Sequence, residues 1–248
     1  MSQPALADRP SASGTFPTTH WSAILAAGQD VGTRADSALA ELCRTYWYPL
    51  YAFARCKGRQ PADAQDLTQG FFTHLIEAGL VRKADPRKGR FRSFLLGCFT
   101  TFLASEARST AAEKRGGGAH LVPIDLERAE RCFAAEPSST ATPERLFDLH
   151  WAVAVLNSAM ALLETEFDES GRAALFQELM PTLEGDNDLQ TYDQIAQRLG
   201  TTAGTIKVTV HRLRQRYREL IRFVVSQTVN DPMDVEAELA HLMAALRG

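Results

Sequence analysis

The chain has 248 residues, a formal net charge of −3 and a hydrophobic share of 45%, as in globular proteins that bury one large or two modest cores. It has no run near the roughly 18 uncharged apolar residues of a membrane span, and its polar N-terminus lacks the apolar run of a signal peptide, so we expect a cytoplasmic protein without a membrane partner. The four cysteines (Cys43, Cys56, Cys98 and Cys132) form no Cys-x-x-Cys motif, which argues against zinc and predicts reduced thiols, mostly in helix cores.

The first part of the chain is predicted to be a disordered lead followed by helices. Residues 1–16 are polar and rich in Pro, Ser and Ala. A short amphipathic helix is predicted from Thr18 to Leu25. A longer apolar stripe at helical spacing follows from Ser37 to Cys56. Pro49 within that stripe predicts a kink or a break into two helices, because proline removes a backbone donor and clashes with the preceding turn.

The stretch from Pro61 to Glu77 predicts a helix with two contrasting faces. Pro61 suits the first helical position. The face expected to be buried is formed by Ala64, Leu67, Phe71 and Leu75. The opposite face carries Asp63, Asp66, Gly70, Thr73 and Glu77, with Gln69 at its edge. Such an acidic face is commonly only solvated, but it also suits the docking of a basic partner helix.

A basic segment lies between residues 82 and 118. It holds nine Lys or Arg against three Asp or Glu, a net charge of +6, and phenylalanines are interleaved with the charges. This composition suits a nucleic acid with unstacked bases, because aromatic rings stack on bases while cations hold phosphates. For Phe94 and Phe102 we favour the alternative that they are core residues of a helix from about Ser93 to Ser109. Contact with nucleic acid is therefore expected in the loop from Arg82 to Arg92.

Residues 111–142 have the Gly, Pro and Ser content of a linker, with a short helix near Leu126–Ala134 inside it. Thr142 and Pro143 then open a second helical unit, in which Ser170 is a candidate cap for the next helix.

A last amphipathic helix is predicted to begin at Asp231. Its apolar face is expected to consist of Val235, Leu239, Leu242, Met243 and Leu246. This helix must pack on something, either as an internal latch between the two units or as a site for another protein. The fold class is therefore all-α, with two small helical domains, a flexible linker and a C-terminal helical tail.

The stretch from Thr191 to Arg222 predicts two helices joined by a tight turn. Thr191, with Gln194 three residues later, forms a capping box, and Gly200 supplies a left-handed stop. Thr202 can cap a second helix that begins at about Ala203. The first helix is expected to bury Ile195, Ala196 and Leu199, and the second Ile206, Val210, Leu213, Tyr217 and Leu220. This is the plan of a helix-turn-helix, whose second helix enters the major groove of DNA.

The second helix of this pair is strongly basic. From Thr205 to Arg222, six Lys or Arg stand against the single acid Glu219, a local net charge of +5 in a chain of net charge −3. The plainer alternative is a solvated surface helix with incidental charge. The cap, the glycine turn and the one-sided charge are independent signals, and together they favour nucleic-acid binding.

These motifs, in this order, resemble bacterial RNA polymerase sigma factors of the extracytoplasmic-function (ECF) class, which keep only regions 2 and 4. The run Asp-Ala-Gln-Asp-Leu-Thr-Gln-Gly-Phe-Phe at 63–72 resembles their core-polymerase-binding helix. Phe91-Arg-Ser-Phe-Leu is similar to the start of their promoter-melting, minus-ten-reading helix, and residues 192–220 are similar to their minus-thirty-five-reading helix-turn-helix. The Tyr46-Trp-Tyr-Pro-Leu-Tyr run, the Gly-Gly-Gly linker and the tail resemble a subgroup abundant in planctomycetes.

The resemblance implies a division of the chain and the residues of three interfaces. The divisions are a lead (1–16), a region-2-like domain (17–110), a linker (111–142), a region-4-like helix-turn-helix domain (143–225) and a C-terminal helical extension (226–248). Docking on core polymerase would use Asp63, Asp66, Gln69 and Thr73. Minus-ten DNA would be held by Arg82, Lys83, Arg87, Lys88, Arg90 and Arg92. At the minus-thirty-five element Gly204, Thr205, Lys207, Val208, Thr209 and His211 would approach base edges, while Arg212, Arg214 and Arg218 would mainly hold phosphates.

The partners implied are core RNA polymerase and promoter DNA, with no catalytic residue, metal or cofactor, since the polymerase performs the chemistry. Gln65 and Gly70 stand where the family usually has glutamates, so the docking face is less acidic than in relatives. Phosphorylation of Thr73 by a Ser/Thr kinase would add roughly −1.5 to −2 charge at that face, although an ordinary exposed threonine is the simpler reading. An anti-sigma factor is the other candidate regulator.

Three other classes of function compete with this one, and one of them, a structural or anti-sigma protein, would leave the basic helix unexplained. A helix-turn-helix transcriptional regulator that does not bind core polymerase would not need the acidic helix followed by a basic aromatic segment. An enzyme is disfavoured, because the sequence has no phosphate-binding glycine loop before Lys-Ser/Thr, no nucleophile elbow and no metal-spaced His/Cys set.

Overall fold

The computed structural model describes residues 33–80, 90–109, 126–134, 142–183, 189–229 and 231–247. Every regular element in these ranges is helical and none is a strand, which confirms the predicted all-α class. The α-helices are α1 (Thr33–Cys56), α2 (Pro61–Glu77), α3 (Phe91–Ser109), α4 (Leu126–Ala134), α5 (Pro143–Glu169), α6 (Ala173–Leu179), α7 (Leu189–Arg198), α8 (Ala203–Ser226) and α9 (Val235–Arg247). The expected lead 1–16, the helix expected from Thr18 and the loop residues Arg82, Lys83, Arg87 and Lys88 lie outside the described residues.

Helix α1 continues through Pro49 as one 24-residue helix, so the alternative of a break at this proline was wrong. An internal proline costs a helix about 3 kcal/mol or more. Here that cost is offset by burial on both sides of the proline, since Tyr46, Leu50 and Tyr51 are at most 2% exposed.

The first core is built largely from aromatic rings of α1, α2 and α3. The ring of Phe99 lies 5.0 Å from that of Phe71 and 6.1 Å from that of Phe53, so Phe99 connects the three helices. Phe94 and Phe102 are half-buried and pack against the same core, as expected for core residues of α3. Basic charge near these rings therefore does not make the rings themselves a nucleic-acid surface.

Helix α4 occupies the predicted position inside the linker and is clamped onto α1. The Arg55 guanidinium donates to both carboxylate oxygens of Glu130, at 2.8 and 3.0 Å, and Tyr51 donates to the same carboxylate. Arg55 also lies 4.8 Å over the ring of Phe133. The Arg55 guanidinium lowers the pKa of the Glu130 carboxyl, because it stabilises the ionised form.

Helix α5 contributes to both halves of the fold. Its first half places Phe147, Trp151 and Val155 in the first core, and its second half places Leu163 and Phe167 in a second core with α6, α7 and α8. By length and apolar composition alone, these 27 residues could cross a membrane. The burial of Trp151, Val155 and Leu163 inside the protein is instead the pattern of a core helix.

The junction after α5 differs from the prediction. Ser170 ends α5 as its C-cap residue and does not cap the next helix, which begins at Ala173 after Arg172. Gly171, at φ +68°, reverses the chain between the two helices. Thr142, in contrast, caps α5 as predicted, since its side chain accepts a hydrogen bond from the backbone N–H of Arg145 at 3.2 Å.

Helix α9 packs on α5 and α8 and inserts Val235 and Leu242 into the first core. The expected inward position of Met243 was wrong, because this side chain is 47% exposed. Glu238, at the opposite edge of the apolar stripe, is instead buried and only 2% exposed.

A buried histidine on α5 makes stability depend on pH. Burial lowers the pKa of His150 to about 4, from 6.5 in the unfolded chain. Because the unfolded chain takes up a proton first, the stabilisation is complete above pH 6.5 and is lost as the pH falls toward 4. We expect a loss of about 3 kcal/mol of unfolding free energy over that window, measured by urea denaturation at several pH values.

The control is His150→Gln. In this variant the free energy of unfolding should depend less on pH between about 6.5 and 4.5, whatever the change in stability at neutral pH. The ion-paired carboxyl of Glu130 has a pKa below 4.5 and titrates below this window. If the unfolding free energy changed with pH equally in the wild-type and variant proteins, His150 would not be the source of the pH dependence.

Candidate nucleic-acid interface

The helix-turn-helix predicted near the C-terminus is formed by α7 and α8. Gly200, at φ +63°, makes the left-handed turn between the helices. The Thr202 side chain accepts a hydrogen bond from the Thr205 N–H at 3.2 Å and thereby caps α8. Helix α7 begins at Leu189, so Thr191 lies inside it and is not its cap. Ile195 and Ala196 are buried as predicted, whereas Leu199, at the edge of the turn, is 36% exposed.

The first turns of α8 present a free surface to solvent. Ile206, Val210 and Leu213 hold the helix on the second core, at 1–2% exposure. The residues predicted to approach base edges lie on the outer side: Gly204, Thr205, Lys207, Val208 and His211 are exposed, and Thr209 is half-buried. The 51% exposure of Val208 is notable, because an apolar side chain at this position suits contact with a base methyl group.

In the part of the chain that the structure describes, the exposed basic residues of α8 divide into a group without an ion pair and an ion-paired group. Lys207, Arg212 and Arg218 are exposed, and within the described residues no ion pair holds them. Arg216 is paired with Glu166 at 2.6 Å and with Glu219 at 2.9 Å, and Arg222 is paired with Glu236. The local excess of positive charge is thus smaller at the surface than the sequence count indicates.

Arg214 was expected among the phosphate contacts, but the structure places it half-buried. Its guanidinium donates to the backbone carbonyl of Thr182, in the 3-10 turn after α6. Arg214 is half-buried because it lies on α8 one residue past Leu213, near the edge of the buried face. In this structure Arg214 supports the packing of α8, and it is not on the open basic surface.

The acidic face predicted on α2 is accessible. Asp63 and Asp66 are exposed, and Gln69 and Thr73 are half-buried beside them. The Thr73 hydroxyl donates to the Gln69 carbonyl at 3.3 Å. Thr68 lies on the opposite face, fully buried, and donates to the Ala64 carbonyl at 2.7 Å. The two threonines therefore differ in their exposure to solvent, as the helical periodicity predicts.

The start of α3 differs most from the sequence prediction. Arg92, predicted to be a surface contact for DNA, is only 6% exposed. Its Nη1 lies 2.6 Å from Asp148 of α5, and its Nε lies 2.8 Å from Glu238 of α9. Arg90 is more open, but its Nε also lies 3.0 Å from Glu238. In this conformation neither arginine has its charge free for a phosphate.

Three residues of this ion cluster were not foreseen as functional: Asp148, Glu238 and His241, whose Nε2 lies 3.1 Å from Asp148. The sequence did indicate that Glu238 is buried and needs a partner. It lies three residues after Val235 and four before Leu242, so it interrupts the apolar stripe of α9. A carboxylate within such a stripe needs a buried cationic partner.

The cysteines form no site among the residues that the structure describes. Cys43 is buried and Cys98 is half-buried, but Cys56 and Cys132 are exposed, so the expectation of mostly buried thiols holds for only part of the set. Over the same described ranges, no group of three or more His, Cys, Asp or Glu is placed to hold a metal ion.

Comparison with known proteins gives one informative similarity. The chain is 28% identical over 189 residues to the ECF RNA polymerase sigma factor SigE of Mycolicibacterium smegmatis. The matched segment covers 76% of this chain and 63% of that protein, so less than two thirds of the relative is represented. No family model and no solved structure matches the chain. With the motifs of α2 and α8, this similarity confirms the resemblance of the chain to sigma factors of the ECF class that was drawn from the sequence.

Proposed function

We propose that the protein is a sigma factor, which binds core RNA polymerase through α2 and directs promoter recognition, DNA melting and initiation. The observation that carries the proposal is the pairing of two accessible surfaces of opposite charge. One is the acidic face of α2 with Asp63 and Asp66, and the other is the exposed first half of α8 with Lys207 and Arg212. The sequence similarity to a SigE protein supports the same conclusion. The protein would then work in the cytoplasm and need no catalytic group of its own.

The test is co-elution of the purified protein with bacterial core polymerase on a sizing column. We expect the wild-type protein to bind and the Asp63→Lys/Asp66→Lys variant to bind at least tenfold more weakly, since like charges at an interface repel. Glu127→Lys is the control for charge reversal, because Glu127 is 90% exposed and lies on a different helix, α4. Duplex binding without core binding would favour the alternative, a helix-turn-helix regulator that acts without core polymerase.

The exposed half of α8 should carry duplex DNA binding. We expect Lys207→Ala and Arg212→Ala each to weaken binding to promoter duplex, and each to reduce the slope of log K against log salt concentration by about 1. Arg131→Ala is the control, because Arg131 is 68% exposed on α4, outside the helix-turn-helix. Fluorescence anisotropy over a salt series measures both quantities. An unchanged slope in both α8 variants would count against a phosphate contact there.

Regulation at Thr73 is a further part of the proposal. A phosphate on this hydroxyl would place negative charge one turn from Gln69 and near Gly70, which stands where the family usually has a glutamate. We therefore expect Thr73→Glu to bind core polymerase more tightly than Thr73→Ala in the co-elution assay. Thr165→Glu is the control, since Thr165 is exposed on α5 and its hydroxyl makes the same type of bond to the preceding turn. Equal binding by the two Thr73 variants would end the hypothesis.

A further inference from the structure

The C-terminal helix α9 covers the arginines expected to hold single-stranded promoter DNA. Glu238 places one carboxylate oxygen 2.8 Å from Arg92 Nε and the other 3.0 Å from Arg90 Nε. The Arg90 guanidinium also donates to the carbonyl of Ala237 at 3.5 Å. A carboxylate and a phosphate are both oxyanions that accept from guanidinium N–H groups. Glu238 therefore accepts from Arg92 a hydrogen bond that a DNA phosphate would need, and it places a negative charge beside Arg90.

Helix α9 is held over the two arginines by apolar packing as well as by charge. Val235 and Leu242 are buried in the first core on either side of Glu238. Asp148 of α5 joins the cluster, at 2.6 Å from Arg92 and 3.1 Å from His241. Helix α9 thus packs over a contact that α3 and α5 also make directly, through Arg92 and Asp148. Displacing α9 would remove Glu238 from both arginines and leave Arg92 with Asp148 as its partner.

The charges of the tail and of the basic segment are complementary. Residues 231–247 contain four Asp or Glu against the single Arg247, while residues 82–118 carry nine Lys or Arg against three acids. The tail is therefore suited by charge to compete with a nucleic acid for that segment.

We propose that α9 is an intramolecular competitor of single-stranded DNA for Arg90 and Arg92, and that it leaves them when the strand binds. The inference rests on the proposed function, because it assumes that the start of α3 engages DNA. Docking of α9 and binding of the strand are then linked equilibria, so each weakens the other by the same factor.

The experiment compares three full-length proteins: the wild type, Glu238→Gln and Asp234→Asn. Asp234 is the matched control, because it lies one turn away, is exposed and loses the same charge. The probe is a fluorescent single strand of about 20 nucleotides, whose phosphate contacts do not require a known promoter sequence. We expect Glu238→Gln to bind the strand about tenfold or more tighter than the wild type, and Asp234→Asn to bind like the wild type.

A second measurement uses the wild-type protein alone, so it does not depend on how a variant folds. Amide hydrogen exchange of residues 235–247 should become faster when the strand is added at saturation. Equal affinities of all three proteins, or unchanged exchange in α9 at saturating DNA, would overturn the inference and leave the proposed function intact. Binding of the strand by none of the three would overturn the proposed function, and the inference with it.

Discussion

Replacing Arg92 with methionine should lower the free energy of unfolding by about 3–5 kcal/mol, because it removes the cation between two carboxylates. Arg92 is 6% exposed, and it separates Glu238, itself only 2% exposed, from Asp148. Without the guanidinium, Glu238 keeps the more exposed Arg90 as its one cationic partner among the described residues. Urea denaturation monitored by circular dichroism measures the effect.

Two comparisons make this prediction specific. Arg131→Ala removes an exposed arginine paired with Glu127 at 3.7 Å on the surface of α4, and should change stability by no more than about 0.5 kcal/mol. The double variant Arg92→Met/Glu238→Leu removes both buried charges and should recover much of the loss. A single variant as stable as the wild type would show that the cluster does not form in solution.

Replacing Trp151 with alanine should also cost about 3–5 kcal/mol, the range for deleting a fully buried aromatic ring. Trp151 is 0% exposed in the first core. Its ring lies 5.1 Å from the Arg92 guanidinium carbon and 6.1 Å from the His241 ring, so it also packs against the ion cluster. Thermal or urea unfolding gives the value. Val153→Ala, on the exposed face of the same helix, serves as control and should stay within roughly 0.5 kcal/mol.

If the Trp151→Ala loss were as small as that of Val153→Ala, the first half of α5 would not belong to the first core. The chain would then consist of two units that fold separately on either side of the linker. A loss near the expected range would instead mean that the two units share this helix.

Much of the helical architecture could be predicted, because its signals are local. The position of α4, the Thr142 cap and the turn at Gly200 each depend on residues within a few positions of one another. The exposed side of the first turns of α8 follows from the same periodicity. Even the boundary error at α7 is small, since the helix starts two residues before Thr191.

The ion cluster could not be predicted, because its members are far apart in sequence. Arg92 and Glu238 are separated by 146 residues, and no local pattern pairs them. A count of basic residues treats Arg92 and Arg214 like Lys207, although the structure uses the first two inside the protein. Which arginines remain at a surface depends on how the helices pack, and single-sequence reasoning did not supply that packing.

The clamp between Arg55 and Glu130 limits how far the two units can separate. While it holds α4 on α1, only seven residues connect the end of α4 at Ala134 with Thr142 at the start of α5. Even fully extended, that connection reaches at most roughly 30 Å. A short tether would keep the two parts at a high effective concentration, so under the proposed competition α9 would rebind quickly once DNA dissociates. Opening of the protein would therefore be a short-range, reversible movement, with α4 as the fixed point.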